Sequence, residues 1–484
     1  MPFAPIPLSF GFYQSSVSPF ASQRCINWLP VVAEGPAISS RMLKQMPGLD
    51  LFGTIPKAGN RGSIVMDGVP YFVNGDSLYS VDSAGTATLI GGVSGSGMVS
   101  LAHNGTYLVI VVPGGNAYTY NKDTAVYGLI TDTDFITSDI VVYKDGYFVF
   151  TSTAGDVFFN SALNDPTSYN ALDFGSAEAS PDKIVTQIVD HNELFICGED
   201  IIEIFQNVGG SGFPFQRIQG AIISKGCHAK FGLVKFDNTF SFIGGGLNER
   251  TAIWKVSGSS SAVKISTDAI DSQIQLFNDA EIADAFAGTM AFDGQILAFF
   301  TFESTRIESK TFVYNATASA LAGGSVWFEL SSGLAGGRWA AQTVVRAYGK
   351  IITADGTTGQ LGALNSDSAL DFGEPNLREA TSTPFSQEGA PLFAGSLKVL
   401  FESGLGLTSG YGSDPLCSMD FSDDGGATWS AKTARKMGKI GEYGRESVWN
   451  RQGRFPVSRI VRLSVAAPVK ANLIRMGATI EGGY

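Results

Sequence analysis

Residues 139–152 read DIVVYKDGYFVFTS: an apolar run, the pair Asp145-Gly146, then a second apolar run. Asp-Gly tolerates the positive φ that a two-residue turn needs if its twist is to match two antiparallel strands. The stretch is therefore a β-hairpin, and its pattern recurs. It is repeated in SIVMDGVPYFVNGDSLYSV (63–81), VSLAHNGTYLVIVV (99–112), TQIVDHNELFICGEDIIEIF (186–205), GLVKFDNTFSFIGG (232–245), TMAFDGQILAFFTF (289–302) and VVRAYGKIITADG (344–356). Asp67-Gly68, Asn104-Gly105, Asp237-Asn238 and Asp293-Gly294 supply comparable turns. From turn to turn the units lie about 40 to 55 residues apart, the length of a four-stranded propeller blade, which must stack on its neighbours to bury its faces. The spacing predicts an irregular β-propeller of six or seven blades over 56–374; hairpins within one blade also give turn signals, so the count stays open. A pair of plain β-sandwiches is the alternative.

Composition agrees. Of 484 residues, 44% are hydrophobic and only 16% charged, with 58 glycines, 34 Phe and 15 Tyr. Charged residues usually reach about a quarter, so a chain of many turns, many aromatics and few helix-forming charges is all-β rather than disordered or coiled-coil. The flanks differ from the repeats. Residues 1–55 hold seven of the 19 prolines (Pro2, Pro5, Pro7, Pro19, Pro30, Pro36, Pro47). Proline cannot donate to a strand ladder, so an extended N-terminal arm is expected there. Residues 375–484 carry longer strand patterns such as SLKVLFES (396–403) and SRIVRLSV (458–465), and are expected to form a C-terminal antiparallel β-sandwich.

Several functions are disfavoured. No run of 18 apolar residues occurs, so no membrane-spanning helix is expected. The start, MPFAPIPLSFGFY, lacks the basic and apolar regions of a secretory signal. Cys25, Cys197, Cys227 and Cys417 are widely spaced and read as buried free thiols rather than zinc ligands. His103 and His191 flank turns, and the neighbours Cys227 and His228 would point oppositely along a strand. Asp132, Asp134, Asp423 and Asp424 lack the spacing of a calcium loop and read as turn residues. No catalytic residue, cofactor or metal is expected. The sharpest motif, Ser422-Asp423-Asp424-Gly425-Gly426-Ala427-Thr428-Trp429, fits the Asp-box pattern S-x-D-x-G-x-x-W. There Ser422 and Asp424 would bond local amides, Gly426 would take positive φ and Trp429 would pack beneath. This is a structural turn; a sialidase-like glycosidase would also need a tyrosine nucleophile and an arginine cluster at the propeller mouth.

Charge is uneven. Residues 431–484 contain eleven Lys/Arg against three acids, a net +8, which leaves −20 on the remainder of a chain whose total is −12. Two parts of opposite sign suggest different partners.

A set of short blocks then falls in a recognisable order: Asn27-Trp28-Leu29-Pro30, Met46-Pro47-Gly48-Leu49, GSGMVSLAH (95–103), AEASPDKI (177–184) leading to Phe195-Ile196-Cys197-Gly198, and Trp449-Asn450-Arg451-Gln452-Gly453-Arg454. With the β-repeat between them, the chain resembles the tail-hub, or nozzle, proteins of short-tailed bacteriophages, the packaged-DNA stabilisation family. The resemblance implies a structural virion protein, six copies of which form a ring below the portal and its adaptor. Such a ring closes the DNA channel, conducts double-stranded DNA during ejection and carries tail fibres, spikes or a needle. An acidic lumen would let DNA slide, because phosphate binding needs cations. Arg445, Arg451, Arg454, Arg459 and Arg462 are then expected to dock on the adaptor or a neighbouring copy. Reversing Arg451, Arg454 and Arg459 to Glu is expected to stop assembly while leaving the monomer folded. A carbohydrate-binding propeller is the alternative, and would need exposed aromatic side chains around a pocket.

Overall fold

The computed structural model describes residues 3–6, 10–15, 21–179, 182–210, 212–258, 260–386, 391–455 and 457–482. Pro2, Pro7 and Pro19 of the expected arm, and Ser180-Pro181 of the AEASPDKI block, lie outside the described residues.

Each of the seven hairpins quoted above is the inner half of one propeller blade. Blade 1 runs through Asn60–Met66, Val69–Asn74, Ser77–Val81 and Ala87–Gly92, each strand antiparallel to the one before. Blades 2, 3 and 4 repeat this over 100–129, 138–176 and 184–223, blade 5 over 226–264 and blade 6 over 286–330. Blade 7 takes Ala341–Ala347, Lys350–Asp355 and Gln360–Asn365, and its outermost strand is Gly48–Thr54 from the other end of the chain. The blade count is therefore seven, one per turn signal. Six turns (Asp67-Gly68, Asp145-Gly146, His191-Asn192, Asp237-Asn238, Asp293-Gly294, Tyr348-Gly349) have positive φ at both central residues, as the hairpin twist requires. At Asn104-Gly105 only the glycine does, and Asn104 Oδ1 accepts from the Thr106 and Tyr107 amides instead.

Blades 7 and 1 meet where the ring closes: Gly48–Thr54, the outermost strand of blade 7, runs through residues 55–59 directly into Asn60–Met66, the first strand of blade 1. Ser63 Oγ donates to Thr343 Oγ1 (2.7 Å), which donates to Asn60 Oδ1 (2.7 Å), and the Tyr348 hydroxyl donates to the Val81 carbonyl (2.9 Å). Between blades the packing is aromatic. Phe158 of blade 3 meets Phe205 of blade 4 edge-on with centroids 4.8 Å apart, and Phe195 of blade 4 meets Phe240 of blade 5 in the same way at 4.9 Å.

The sandwich is not confined to the C-terminal segment. One sheet joins Glu446–Phe455, Leu392–Phe401, Leu473–Gly482, Arg41–Gln45 and Trp28–Val32, with Phe3–Pro5 beside Leu473–Gly482. The facing sheet continues directly from blade 6: Cys25–Ile26 lies parallel to Trp327–Leu330 and antiparallel to Arg378–Thr381, which leads on to Ser458–Val465 and Leu416–Ser422. Residues 1–55, expected as an arm apart, are thus divided between both units. The prolines did not prevent this. Pro30 sits in a strand at the border of its sheet, where a missing N–H costs no ladder bond, while its carbonyl accepts from Asn315 Nδ2 (3.2 Å).

The two units share one core. Trp28, Trp449, Leu463 and Leu473 of the sandwich cluster with Phe299, Phe328 and Trp339 of the propeller. Asn27, with φ 53°, ties the seam: its Nδ2 donates to the Ser331 and Leu377 carbonyls, both at 2.8 Å, and its Oδ1 accepts from the Ser331 amide. Arg378, 2% exposed, donates to Gln45 Oε1 and to the carbonyls of Val469 and Ala467. Burial lowers its pKa to about 10.

Asp371 sits beside the closing strand, 7% exposed, accepting from the Leu49 amide (3.2 Å) and Ser332 Oγ (3.3 Å). Burial pushes its carboxyl from 3.8 up to about 6. Between these values the unfolded chain has released a proton that the folded chain keeps, so raising the pH favours unfolding. Stability is expected to fall across this window by up to about 3 kcal/mol, and to be independent of this group's titration below 3.8, where both states are protonated. Asp371→Asn should flatten that slope. Urea unfolding of both proteins at several pH values between 4 and 7.5 measures the difference, and parallel profiles would overturn the assignment.

Sequence reasoning anticipated no helix. Two short ones, α1 (Asp268–Ile274) and α2 (Asp279–Ala283), fill the connection between blades 5 and 6, and α3 (Ala316–Ala322) lies within blade 6. The signal for α2 was present as a capping box, Asn278 with Glu281 three residues on.

Candidate functional site

The connections between successive blades gather on one face of the propeller around an open funnel of about 1400 Å³. Its wall carries six acids (Glu199, Asp200, Glu249, Asp279, Asp284, Glu303) and the cations Arg61, Lys230, Arg250 and Arg338. The three arginines were not foreseen, because they come from blade 1, blade 5 and the connection between blades 6 and 7, far apart in sequence. Two are held by the fold. Arg61 donates to the carbonyls of Gly97 (2.7 Å), Gly75 (2.9 Å) and Val93 (3.1 Å), and burial lowers its pKa. Arg338 pairs with Glu303 at 2.5 Å. Lys230 pairs with Asp139 at 2.8 Å. His228 Nδ1 lies 2.7 Å from Thr251 Oγ1, and burial depresses its pKa. No tyrosine lines the funnel among the described residues, so the nucleophile of a sialidase has no counterpart there.

The Asp-box forms the expected turn. Ser422 Oγ donates to Asp424 Oδ1 (2.6 Å) and accepts from the Gly426 amide (2.8 Å). Asp424 also accepts from the Thr428 amide (2.9 Å) and hydroxyl (2.5 Å), bonds that hold its pKa far below the usual carboxylate range. Gly425 and Gly426 have φ of 73° and 95°. Trp429 is not sealed beneath the turn. It is half-buried, with the Arg462 guanidinium 3.9 Å above its ring.

The five arginines expected to dock fall into two groups. Arg459 is 3% exposed. Its guanidinium bonds both oxygens of Asp423 (2.6 and 2.7 Å) and the Gln452 carbonyl, and lies over the rings of Phe421 (3.8 Å) and Phe455 (4.7 Å). Arg462 is paired with Asp420, with Glu379 at 3.9 Å. These two brace the sandwich from within and are not available to a partner. Arg445 is exposed and pairs with Glu442 at 2.8 Å. Arg451 and Arg454 are exposed and have no carboxylate partner among the described residues. The outward basic surface is therefore narrower than the charge count implied.

The remaining candidates are structural. All four cysteines are buried and free. His103 Nδ1 accepts from the Gly105 amide (3.2 Å), and His191 occupies its turn with Nδ1 2.8 Å from Asp190. Asp132 accepts from the amides of Asp134 (2.9 Å) and Tyr169 (3.1 Å). Among the described residues no three His, Cys, Asp or Glu side chains are grouped to hold a metal, and no helix is long and apolar enough to cross a membrane.

Comparison with known proteins matches residues 4–369 to the family described as Bacteriophage P22 Gp10, beta-propeller, and residues 381–481 to Bacteriophage P22 Gp10, beta-sandwich. The chain is similar to the tail hub protein gp10 of Salmonella phage P22, 24% identical over 504 aligned residues that cover 99% of this chain and 100% of that protein. Among solved structures it is similar to the N-terminal domain of Nup159 (9% identity, 70% of this chain and 98% of that one, TM-score 0.40). It also matches the extracellular domain of the putative one-component system BT4673 from B. thetaiotaomicron (11% identity, 76% of this chain and 45% of that one, TM-score 0.42).

Proposed function

We propose a function from one premise: this chain belongs to the family described as Bacteriophage P22 Gp10, beta-propeller, and carries that protein's beta-sandwich as well. Its role is structural, as a component of a phage tail hub within the virion. On this reading six copies form a ring below the portal and its adaptor, retain the packaged DNA and conduct it during ejection. Fibres, spikes or a needle attach to the same ring. The protein is not an enzyme.

The observation that carries the reading is the fusion of propeller and sandwich. A sheet that runs from blade 6 into the sandwich, and an N-terminal segment that closes both, leave no flexible linker between the units. A wall around a pressurised channel needs that stiffness, whereas an adaptor between independent partners does not. The net −20 outside residues 431–484 supports an acidic lumen past which phosphates slide.

A sugar-binding propeller has less support. Trp28, Trp327, Trp339 and Trp449 are each 5% exposed or less, Trp254 is covered by Lys225 (4.7 Å), and Trp429 by Arg462. The tryptophans therefore offer no open stacking platform. Immunogold electron microscopy on particles from the source culture tests the hub reading. Label is expected at the end of one short tail per particle; label on fibres would favour sugar binding, and unlabelled virions would remove the reading.

A further inference from the structure

Blades 2 and 3 form an acidic flank of the propeller. Residues 100–178 hold nine acids and two lysines, a net −7. Three of these acids are paired, Asp145 with Lys144, Asp123 with Lys122 and Asp139 with Lys230 from blade 5, which leaves Asp132, Asp134, Asp156, Asp165, Asp173 and Glu178 without an ion-pair partner among the described residues. The outermost strands of these blades are Val126–Leu129 and Asp165–Ser176. Val126, Leu129, Leu172 and Phe174 stand on them in solvent, Leu172 79% exposed. Asp165–Ser176 is twelve residues long and pairs with a strand on one side only, Val157–Ala162. A long, open edge with exposed apolar side chains is a surface that proteins normally cover.

The sandwich presents the complement. Arg454 stands opposite Phe393 in the strand register, Phe393 is 41% exposed and Val457 69%, and Arg451 lies within the bulge between Asn450 and Gly453. One face thus offers carboxylates among apolar groups, the other guanidiniums among apolar groups. Both belong to the same chain, at different places, as a head-to-tail contact between copies requires.

We propose that the outer rim of blades 2 and 3 receives the Arg451/Arg454 face of a second copy of this chain. The inference rests on the hub reading, because two unlike patches repeated from copy to copy propagate around a ring. Asp134, exposed in the connection between the two blades, and Asp173, half-buried on the outermost strand of blade 3, have side chains without a hydrogen-bond or ion-pair partner among the described residues, unlike Asp132 or Asp165.

The test uses the full chain supplied to tail-less particles of its own phage that lack it. Three variants are compared with the wild type: D134K/D173K, R451E/R454E, and the four changes together. Circular dichroism and melting establish that each is folded; should the lysine variant melt early, D134N/D173N replaces it, with a smaller loss expected. Each two-residue reversal is expected to lower the yield of tailed, infectious particles by at least about 100-fold, since like charges placed face to face cost several kcal/mol. The four-residue swap should return the yield to within about tenfold of wild type. Normal assembly by a folded rim variant overturns the proposal. So does failure of the four-residue swap to restore what each pair lost, which would assign the rim to a different tail protein. Failure of the hub reading is separate, because then the wild-type chain itself would not restore tails.

Discussion

Arg459→Glu is expected to destabilise the folded chain by about 3 kcal/mol. The wild-type guanidinium is 3% exposed, bonded to both oxygens of Asp423 and held over Phe421 and Phe455. Glutamate would bring a second carboxylate against Asp423 in a pocket with no other cation shown there. Removing one partner of a buried pair costs about 3–5 kcal/mol, and the reversal adds repulsion. Asp423 keeps 31% of its side chain in water, which places the expected loss near the lower bound, about 3 kcal/mol. Arg451→Glu and Arg454→Glu, both at exposed positions, should stay within about 0.5 kcal/mol of wild type. Urea unfolding of the three single variants separates the groups, and an Arg459→Glu protein as stable as wild type would overturn this account. The consequence reaches the expectation that a triple reversal stops assembly while leaving a folded monomer. With Arg459 included, loss of tails would report unfolding; only the Arg451/Arg454 pair can report docking.

Arg459 also marks what the sequence could have told. In SRIVRLSV (458–465), Arg459 has the same parity as Val461, Leu463 and Val465, all buried. Ile460 and Ser464, of the opposite parity, are buried as well, so the strand is covered on both faces, and the near-continuous apolar run around this arginine already marked it as interior. The charge count hid it, because counting treats a cation braced within a sheet and one in solvent alike. The blade turns were legible for the opposite reason. Asp-Gly and Asp-Asn pairs act within two residues, and each of the seven hairpins stands where its turn chemistry put it. The closing strand was not legible. Gly48–Thr54 pairs with Gln360–Asn365, some 310 positions away, and nothing local in GLDLFGT names that partner. The funnel arginines share this difficulty, since only the closed ring brings blade 1, blade 5 and the connection between blades 6 and 7 to one mouth.

Trp28→Ala should destabilise propeller and sandwich together. Trp28 has no exposed surface, its Nε1 donates to the Ala471 carbonyl (2.8 Å), and it lies in the core that holds Phe328 and Trp339 of the propeller as well as Trp449 and Leu473 of the sandwich. Truncating a buried tryptophan costs about 3–5 kcal/mol in transfer and cavity terms, and here a buried carbonyl also loses its donor. The informative feature is the shape of the transition. A sandwich joined by a linker would melt alone and leave the propeller's transition in place. Here the sheet of blade 6 continues through Cys25–Ile26 and Arg378–Thr381 into the sandwich, so opening one unit exposes the core of the other. Calorimetry of the full chain is therefore expected to show one transition, shifted down as a whole by the substitution. Two transitions, with only the smaller one moved, would show the units to be independent. A single transition means that propeller and sandwich unfold as one cooperative unit, because the core and the sheet that each needs are shared with the other.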